Sequence, residues 1–137
     1  MSVVFNSGKQ VVWVWATSTI RVLYLQGSIV ATGDEDFVSD VLATHTECTF
    51  TNYARQTLSG KGVTVDDVNN KAQLTASNVS IAAAGGATNN TITGQLVYHF
   101  VTNDSDSVPI VLYVDTETTN GNTLTLQWPN GVVLEVL

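Results

Sequence analysis

The sequence predicts an all-β fold: a single antiparallel β-sandwich or barrel-like domain of about nine short strands. Charged residues make up only 12% of the chain, and Thr, Val, Ser and Asn take their place. β-Branched side chains suit a pleated surface and lose rotamer freedom in helices, so this composition favours strands. Turn signals recur roughly every 8–12 residues between short apolar runs, as in sandwiches and barrels. The 137 residues fit one such domain, so we expect residues 1–137 to form a single β-domain.

The beginning of the chain holds two of its three tryptophans, Trp13 and Trp15. Either Ser7 caps a short helical turn over residues 8–16, or residues 11–16 form a strand. In a strand the two indoles share a face, whereas in a helix they lie about 200° apart around the axis. β propensity favours the strand.

The remaining elements follow from periodicity and turn residues. Between residues 34 and 42, Phe37 lies four residues before Val41 in an acidic stretch, which predicts one or two short helical turns. Thr32 or Asp34 is the expected N-cap. Strands are predicted over residues 20–26, 48–54, 62–66, 71–77, 79–83, 91–101, 110–114, 123–128 and 132–137, the second of these as a short edge strand.

A long hairpin, residues 91–101 and 110–114, is the predicted centre of the domain. Alternation along the first arm puts Ile92 and Leu96 on one buried face together with Gly94. Gly94 is expected at a bulge or where a neighbouring side chain leaves no room for a Cβ atom. The second arm is continuously apolar, which predicts a strand covered on both sides. The polar loop TNDSDS between the arms is expected to be a solvent-facing turn.

Charge and cysteine content argue against several classes of function. The net charge is −7, and five Lys and Arg residues spread along the chain predict no surface for nucleic acid. An acidic surface instead favours solubility or a basic partner. The first residues lack a signal-peptide pattern and no run approaches about 18 apolar residues, so we expect no signal-directed secretion and no membrane helix. Cys48 is the single cysteine, which excludes an internal disulfide.

Few side chains offer nucleophilic or acid–base chemistry. His45, Glu47 and Cys48 lie close together in sequence, but in a strand Cys48 points away from the other two. They therefore form no local relay of base, acid and thiol. His99 is expected on a strand as a solvated or hydrogen-bonded side chain. We predict no catalytic residue.

Metal and cofactor binding are also not predicted. The pairs Asp34/Asp36 and Asp104/Asp106 offer oxygen ligands of the kind that Ca²⁺ prefers. Neither pair continues into an EF-hand loop with its distal Glu, and acidic loop tips are usually solvated turns. The expectation is therefore no metal site and no cofactor.

Several short motifs follow one another in a fixed order along nearly the whole chain. They are a strand beginning T-I-R-V, an acidic D-F-V-x-D-V segment, a Tyr followed by L-x-G-K-x-V-T-x-D-D, and an A-x-N-V strand. The last three are G-x-L-V-Y, P-I-V-x-Y-V-D and T-N-G-x-x-L-T-L-x-W. In this chain they lie at residues 19–22, 36–41, 53, 58–67, 76–79, 94–98, 109–115 and 119–128. This ordered set resembles a family of small structural proteins encoded by tailed bacteriophages.

The resemblance implies a non-enzymatic virion component, a head accessory protein that decorates or cements the capsid exterior. Its partners would be the major capsid protein or other virion proteins, and we expect a homo-oligomer with no nucleic-acid or membrane partner. It would be assembled into the virion in the host cytoplasm. Within the N-terminal segment, residues 1–19, the stretch 11–16 departs from the family pattern by its Trp and Val content. Aromatic residues often anchor interfaces, so this segment is expected to make subunit or capsid contacts. The interface candidates are Val3, Val4, Phe5, Trp13 and Trp15.

Two other functions remain open at the level of sequence. The same β-rich composition fits a tail, neck or fibre-attachment protein. Trp128 and Tyr113, with the acidic loop tips, motivate a carbohydrate-binding β-sandwich module.

Overall fold

The computed structural model describes residues 2–6 and 14–136. Strands and one short helix account for its regular structure, so the predicted all-β class is confirmed. A 3₁₀ turn, Pro129–Gly131, precedes the last strand. The elements are β1 (Ser2–Val4), β2 (Ile20–Gln26), α1 (Val38–Thr44), β3 (Thr46–Glu47), β4 (Gln56–Thr57), β5 (Gly62–Asp66), β6 (Lys71–Thr75), β7 (Val79–Ile81), β8 (Thr91–His99), β9 (Val108–Thr118), β10 (Leu124–Leu126) and β11 (Val132–Val136).

The strands form three antiparallel sheets. The main sheet has the order β1-β9-β8-β2-β3, and β4 also pairs with β2. Strands β7 and β10 form a two-stranded sheet, and β5, β6 and β11 form a three-stranded sheet in the order β11-β6-β5. The predicted hairpin of β8 and β9 lies at the centre of the main sheet, as expected.

Both faces of the main sheet are buried. On one face, core one joins side chains of β2, β8 and β9 to side chains of both small sheets. On the other face, core two packs the sheet against α1. Strand β2 shows the underlying pattern, because Val22 and Tyr24 lie in core one while Leu23 and Leu25 lie in core two. The layered arrangement is that of a sandwich-like domain.

Strand β8 departs from strict alternation. Ile92 lies in core one and Leu96 in core two, so the prediction that they share a face is wrong. The reason is a shift of register between Ile92 and Gly94 against both neighbouring strands. One extra residue at such a bulge moves the following side chains to the opposite face. The first arm is therefore buried on both faces rather than one.

Gly94 lies at this bulge and close to neighbouring side chains, as the sequence predicts. A Cβ atom there would lie 3.0 Å from Cδ1 of Leu112 and 3.1 Å from Cδ1 of Ile29.

We expect Gly94→Val to lower the free energy of unfolding by about 2–3 kcal/mol, because the added methyl groups overpack core two. Gly94→Ala should cost less, because the methyl ends of Leu112 and Ile29 can move. Urea unfolding measures both, and equal stability of wild type and Gly94→Val would contradict the packing.

The helix begins later than predicted. Helix α1 covers Val38–Thr44, and its N-cap is Phe37 rather than Thr32 or Asp34. The carboxylate of Asp40 accepts a hydrogen bond of 3.0 Å from the backbone N–H of Phe37, which closes the first turn. Acidic side chains before the helix instead stabilise the preceding loop.

Two strand predictions fail because the residues concerned form local turns. Residues 14–18 form a turn, with the backbone N–H of Ser18 donating to the carbonyl of Val14 at 2.8 Å. The rest of the predicted strand, residues 11–13, and the start of the alternative helical turn, residues 8–13, lie outside the described residues. The predicted edge strand over residues 48–54 is also absent, since a turn brings the rings of Phe50 and Tyr53 into a stack at 5.1 Å.

The TNDSDS loop folds back onto the protein and is not simply a solvent-facing turn. The carbonyls of Asp104 and Ser107 accept hydrogen bonds of 2.9 Å from the N–H groups of Ser39 and Val38, respectively. These two N–H groups lie in the first turn of α1, where no backbone carbonyl of the helix itself can accept a hydrogen bond from them. The loop therefore fixes the helix to the central hairpin.

Candidate functional site

The densest polar contact network surrounds Arg55. Its guanidinium binds Glu47 through two hydrogen bonds of 2.7 and 2.8 Å, and Asp104 through two of 2.6 and 3.1 Å. The three side chains are 25%, 27% and 35% exposed, so water screens them only in part. Two bidentate contacts from one planar guanidinium are a strong and directional arrangement. The network joins β3, the segment before β4 and the TNDSDS loop.

Tyrosine side chains extend this network into the sheet. The hydroxyl of Tyr53 donates to Glu47 at 2.6 Å and accepts from the backbone N–H of Tyr24 at 3.2 Å. Burial and the neighbouring Glu47 raise the pKa of Tyr53. The carboxylates of Glu47 and Asp104 raise the pKa of Arg55. Tyr53 therefore stays neutral and Arg55 stays charged, and the network acts as a structural clamp.

His45, Glu47 and Cys48 make separate contacts, although only Thr46–Glu47 forms the strand that the sequence predicts for them. Nδ1 of His45 donates to the carbonyl of Val41 at 2.8 Å, and Nε2 accepts from the N–H of Val30 at 3.0 Å. Burial and the nearby Glu47 raise the pKa of the Cys48 thiol to about 12, which leaves little nucleophilic thiolate at neutral pH.

The interface candidates of the N-terminal segment divide into buried and accessible residues. Phe5 and Trp15 are fully buried in the chain's own cores, and the indole N–H of Trp15 donates to the carbonyl of Thr75 at 2.9 Å. Val3 packs against core two, while Val4 is 36% exposed. Trp13 lies outside the described residues. Val4 is thus the most accessible of the described candidates for an external contact.

The acidic pairs serve their own loops. Asp106 accepts hydrogen bonds from the N–H groups of Thr102 and Asn103 at 2.9 and 2.8 Å, and these bonds lower its pKa. Asp34 accepts from the side-chain amide of Asn6 at 3.1 Å. Within residues 2–6 and 14–136, no three His, Cys, Asp or Glu side chains are grouped as metal ligands.

Trp128 and Tyr113, which motivate a sugar-binding site, contact each other at a ring separation of 5.7 Å. Trp128 is only 4% exposed and its indole N–H donates to the carbonyl of Ser77 at 3.0 Å. The hydroxyl of Tyr113 donates to the carbonyl of Val133. These contacts fasten the small sheets to the main sheet, and the buried Trp128 ring presents no open face on which a sugar could stack.

A row of polar side chains crosses the main sheet beneath a surface cleft. Tyr24, Gln95 and Tyr113 are direct neighbours on β2, β8 and β9. Gln95 is 5% exposed and Tyr24 is 1% exposed, yet the side-chain oxygen of each has no hydrogen-bond partner. We call the space above this row the Gln95 cleft. It consists of adjoining cavities of about 220 and 280 Å³ between β9 and residues 124–129.

Sequence reasoning did not find the Arg55 network or the Gln95 cleft. A glutamine between apolar residues in a strand predicted to be central is a usable signal, because buried polar groups normally need partners. The network has no comparable signal, since Asp104 and Arg55 meet only when the hairpin loop folds back.

His99 couples stability to pH. Burial, and then the positive charge of Lys61, lower its pKa below the ordinary value of 6.5. The unfolded chain then binds a proton more readily, so the free energy of unfolding should decrease as the pH falls below about 6.5. Urea unfolding at about pH 7.5 and about pH 5.5 checks this. Between these two pH values, the free energy of unfolding of His99→Gln should fall by less than that of the wild type. An equal fall in both proteins would contradict the role of His99.

Comparison of the chain with protein-family models, with curated proteins and with solved structures found no match. In the part of the chain that the structure describes, no helix has the length and apolar character needed to cross a membrane. Function must therefore be argued from the side chains themselves.

Proposed function

We propose that this chain is a non-enzymatic structural component of a tailed-phage virion, a decoration protein that stabilises the capsid exterior. The observation that carries the proposal is the use of its chemically capable side chains in structural contacts. His45 holds the end of α1, Cys48 lies in core one, and Arg55 clamps three segments together. The ordered motifs that resemble small phage structural proteins support the same function.

The surface of the chain suits such a subunit. A net charge of −7 gives assembled particles an acidic exterior that resists aggregation. Strand β5 exposes Val63 at 45% and Val65 at 66%, and the following turn exposes Val68 at 90%. We call these three residues the valine patch. Apolar side chains on an edge strand are well suited to a contact with the major capsid protein or with another copy of this chain.

Copy number tests the proposal most directly. A decoration protein stabilises the shell through a modest contact that symmetry repeats many times. Its copy number should therefore be a fixed fraction of the copy number of the major capsid protein. Quantitative mass spectrometry and cryo-EM of purified particles measure that fraction. A few copies confined to the tail or neck would overturn the head position and favour the tail, neck or fibre-attachment alternative.

The valine patch can be tested on the same particles. The double variant Val63→Thr, Val65→Thr keeps side-chain shape and β propensity while removing apolar surface. We expect it to fold normally and to occupy fewer capsid sites than the wild type. Val101→Thr is the matched control, because Val101 is 50% exposed on a different loop. Equal occupancy by all three proteins would exclude this patch as the contact.

A further inference from the structure

The Gln95 cleft has hydrogen-bonding capacity that the described chain does not use. The amide oxygen of Gln95 and the hydroxyl of Tyr24 are both buried without partners, although both residues line the cleft. An unpaired buried polar atom destabilises the folded state, so a protein that keeps two at one place is expected to satisfy them from outside. The two residues are cross-strand neighbours, so their side chains lie side by side beneath the same cleft.

The rim of the cleft is negatively charged. Asp115 and Glu117 on β9 line it beside Gln95 and Tyr24. Burial, and then the negative charge of Glu117, raise the pKa of Tyr24, so the phenol remains a neutral hydrogen-bonding group. The four described Lys and Arg side chains are held elsewhere by Phe100, Glu47 and Asp104, Ser18 or Glu135. The cleft therefore offers acceptors with no counter-charge among the described residues.

The size and position of the cleft favour a side chain from an extended segment. Each cavity is smaller than the roughly 300–1,000 Å³ that drug-sized ligands occupy. Strand β1 covers the outer edge of β9 only opposite Val111–Tyr113. In the described chain, residues 114–118 of β9 therefore keep an edge without a strand partner, next to the charged rim. An extended segment can pair with that edge while one of its side chains enters the cleft.

We propose that the Gln95 cleft binds an arginine side chain presented by an extended segment of a partner protein. The guanidinium has five N–H donors in one plane and no acceptor, which matches the amide oxygen of Gln95 together with the carboxylates of Asp115 and Glu117. The ammonium of lysine is more strongly hydrated and has fewer donors, so it fits less well. This inference does not require the partner to be a virion protein.

Peptide titration monitored by NMR tests the proposal. The probe is acetyl-Gly-Arg-Gly-amide, and the control is the same peptide with citrulline, which has the shape of arginine without its charge. We expect the arginine peptide to shift the side-chain amide signals of Gln95 and the backbone signals of β9, and to bind at least about tenfold more tightly than the control. Equal binding of both peptides, or no shift at Gln95, would overturn the proposal.

Two kinds of variant locate the interaction. Gln95→Met keeps the length of the side chain and removes the unpartnered oxygen, so it should remain folded and bind the arginine peptide about tenfold more weakly. Glu117→Gln lies on the rim and should weaken binding without affecting the core. If Gln95→Met unfolds, the affinity of Glu117→Gln for the arginine peptide is the measurement that tests binding in the Gln95 cleft. Wild-type affinity in Glu117→Gln would overturn the assignment of the guanidinium to this cleft.

Discussion

Replacing Trp15 by alanine should lower the free energy of unfolding by about 3–5 kcal/mol, the largest single effect that we expect in this chain. The indole is fully buried in core one, and its N–H donates to the carbonyl of Thr75 at the end of β6. Truncation removes the ring, leaves a cavity and frees a carbonyl. Since folded domains are stable by only about 5–15 kcal/mol, this variant should lie close to the limit of folding.

Chemical unfolding followed by circular dichroism measures this effect. Trp15→Phe is the matched control, because it retains much of the ring volume and loses only the N–H donor. It should cost clearly less than Trp15→Ala. Near-wild-type stability of Trp15→Ala would contradict the buried position and would favour a contact of Trp15 with a partner.

Replacing Arg55 by methionine should lower the free energy of unfolding by about 2 kcal/mol. The change removes both bidentate contacts and leaves the partly buried carboxylates of Glu47 and Asp104 without their cation. Loss of one partner from a fully buried pair costs about 3–5 kcal/mol, and partial exposure reduces that value here. Urea unfolding at low and high salt measures the loss.

The exposed ion pair between Lys71 and Glu135 provides the comparison for Arg55. Its N–O distance is 2.9 Å, but the Glu135 side chain is 46% exposed. Lys71→Met should therefore cost much less than Arg55→Met. Similar losses in the two variants would show that the Arg55 network stabilises the fold no more than an ordinary surface pair.

Strand positions were predictable wherever the signal is local. Residues 62–66 alternate and are followed by a turn rich in Asp and Asn, and β5 has the predicted bounds. The predicted strand over residues 132–137 also forms, as β11, after a Pro-Asn-Gly turn in which Asn130 and Gly131 have φ values of 54° and 74°. Both predictions depend on side-chain period and on residues that tolerate positive φ.

The failed predictions share a non-local cause. Residues 48–54 have strand-like composition, but Phe50 and Tyr53 turn inward to pack with Tyr24 on a distant part of the chain. Ile92 changes face because of a bulge that involves two neighbouring strands. Tertiary packing overrides propensity in both places.

The candidate sites were predictable to a lesser degree. Strand geometry was expected to separate Cys48 from His45, but β3 covers only Thr46–Glu47, so His45 instead ends α1 and Cys48 lies in core one. The contacts of Arg55 with Asp104, and the opening above Gln95, depend on how loops return to the sheet. No local pattern of residues encodes such a return.

The pairing of β1 with β9 has a consequence for folding kinetics. Val3 pairs with Leu112, so this edge of the main sheet closes a long loop of chain. Closing such a loop costs conformational entropy before the new contacts can stabilise the fold. Sheets built from such distant segments fold slowly, on the order of milliseconds to seconds. We expect the β8–β9 hairpin to form before β1 is added.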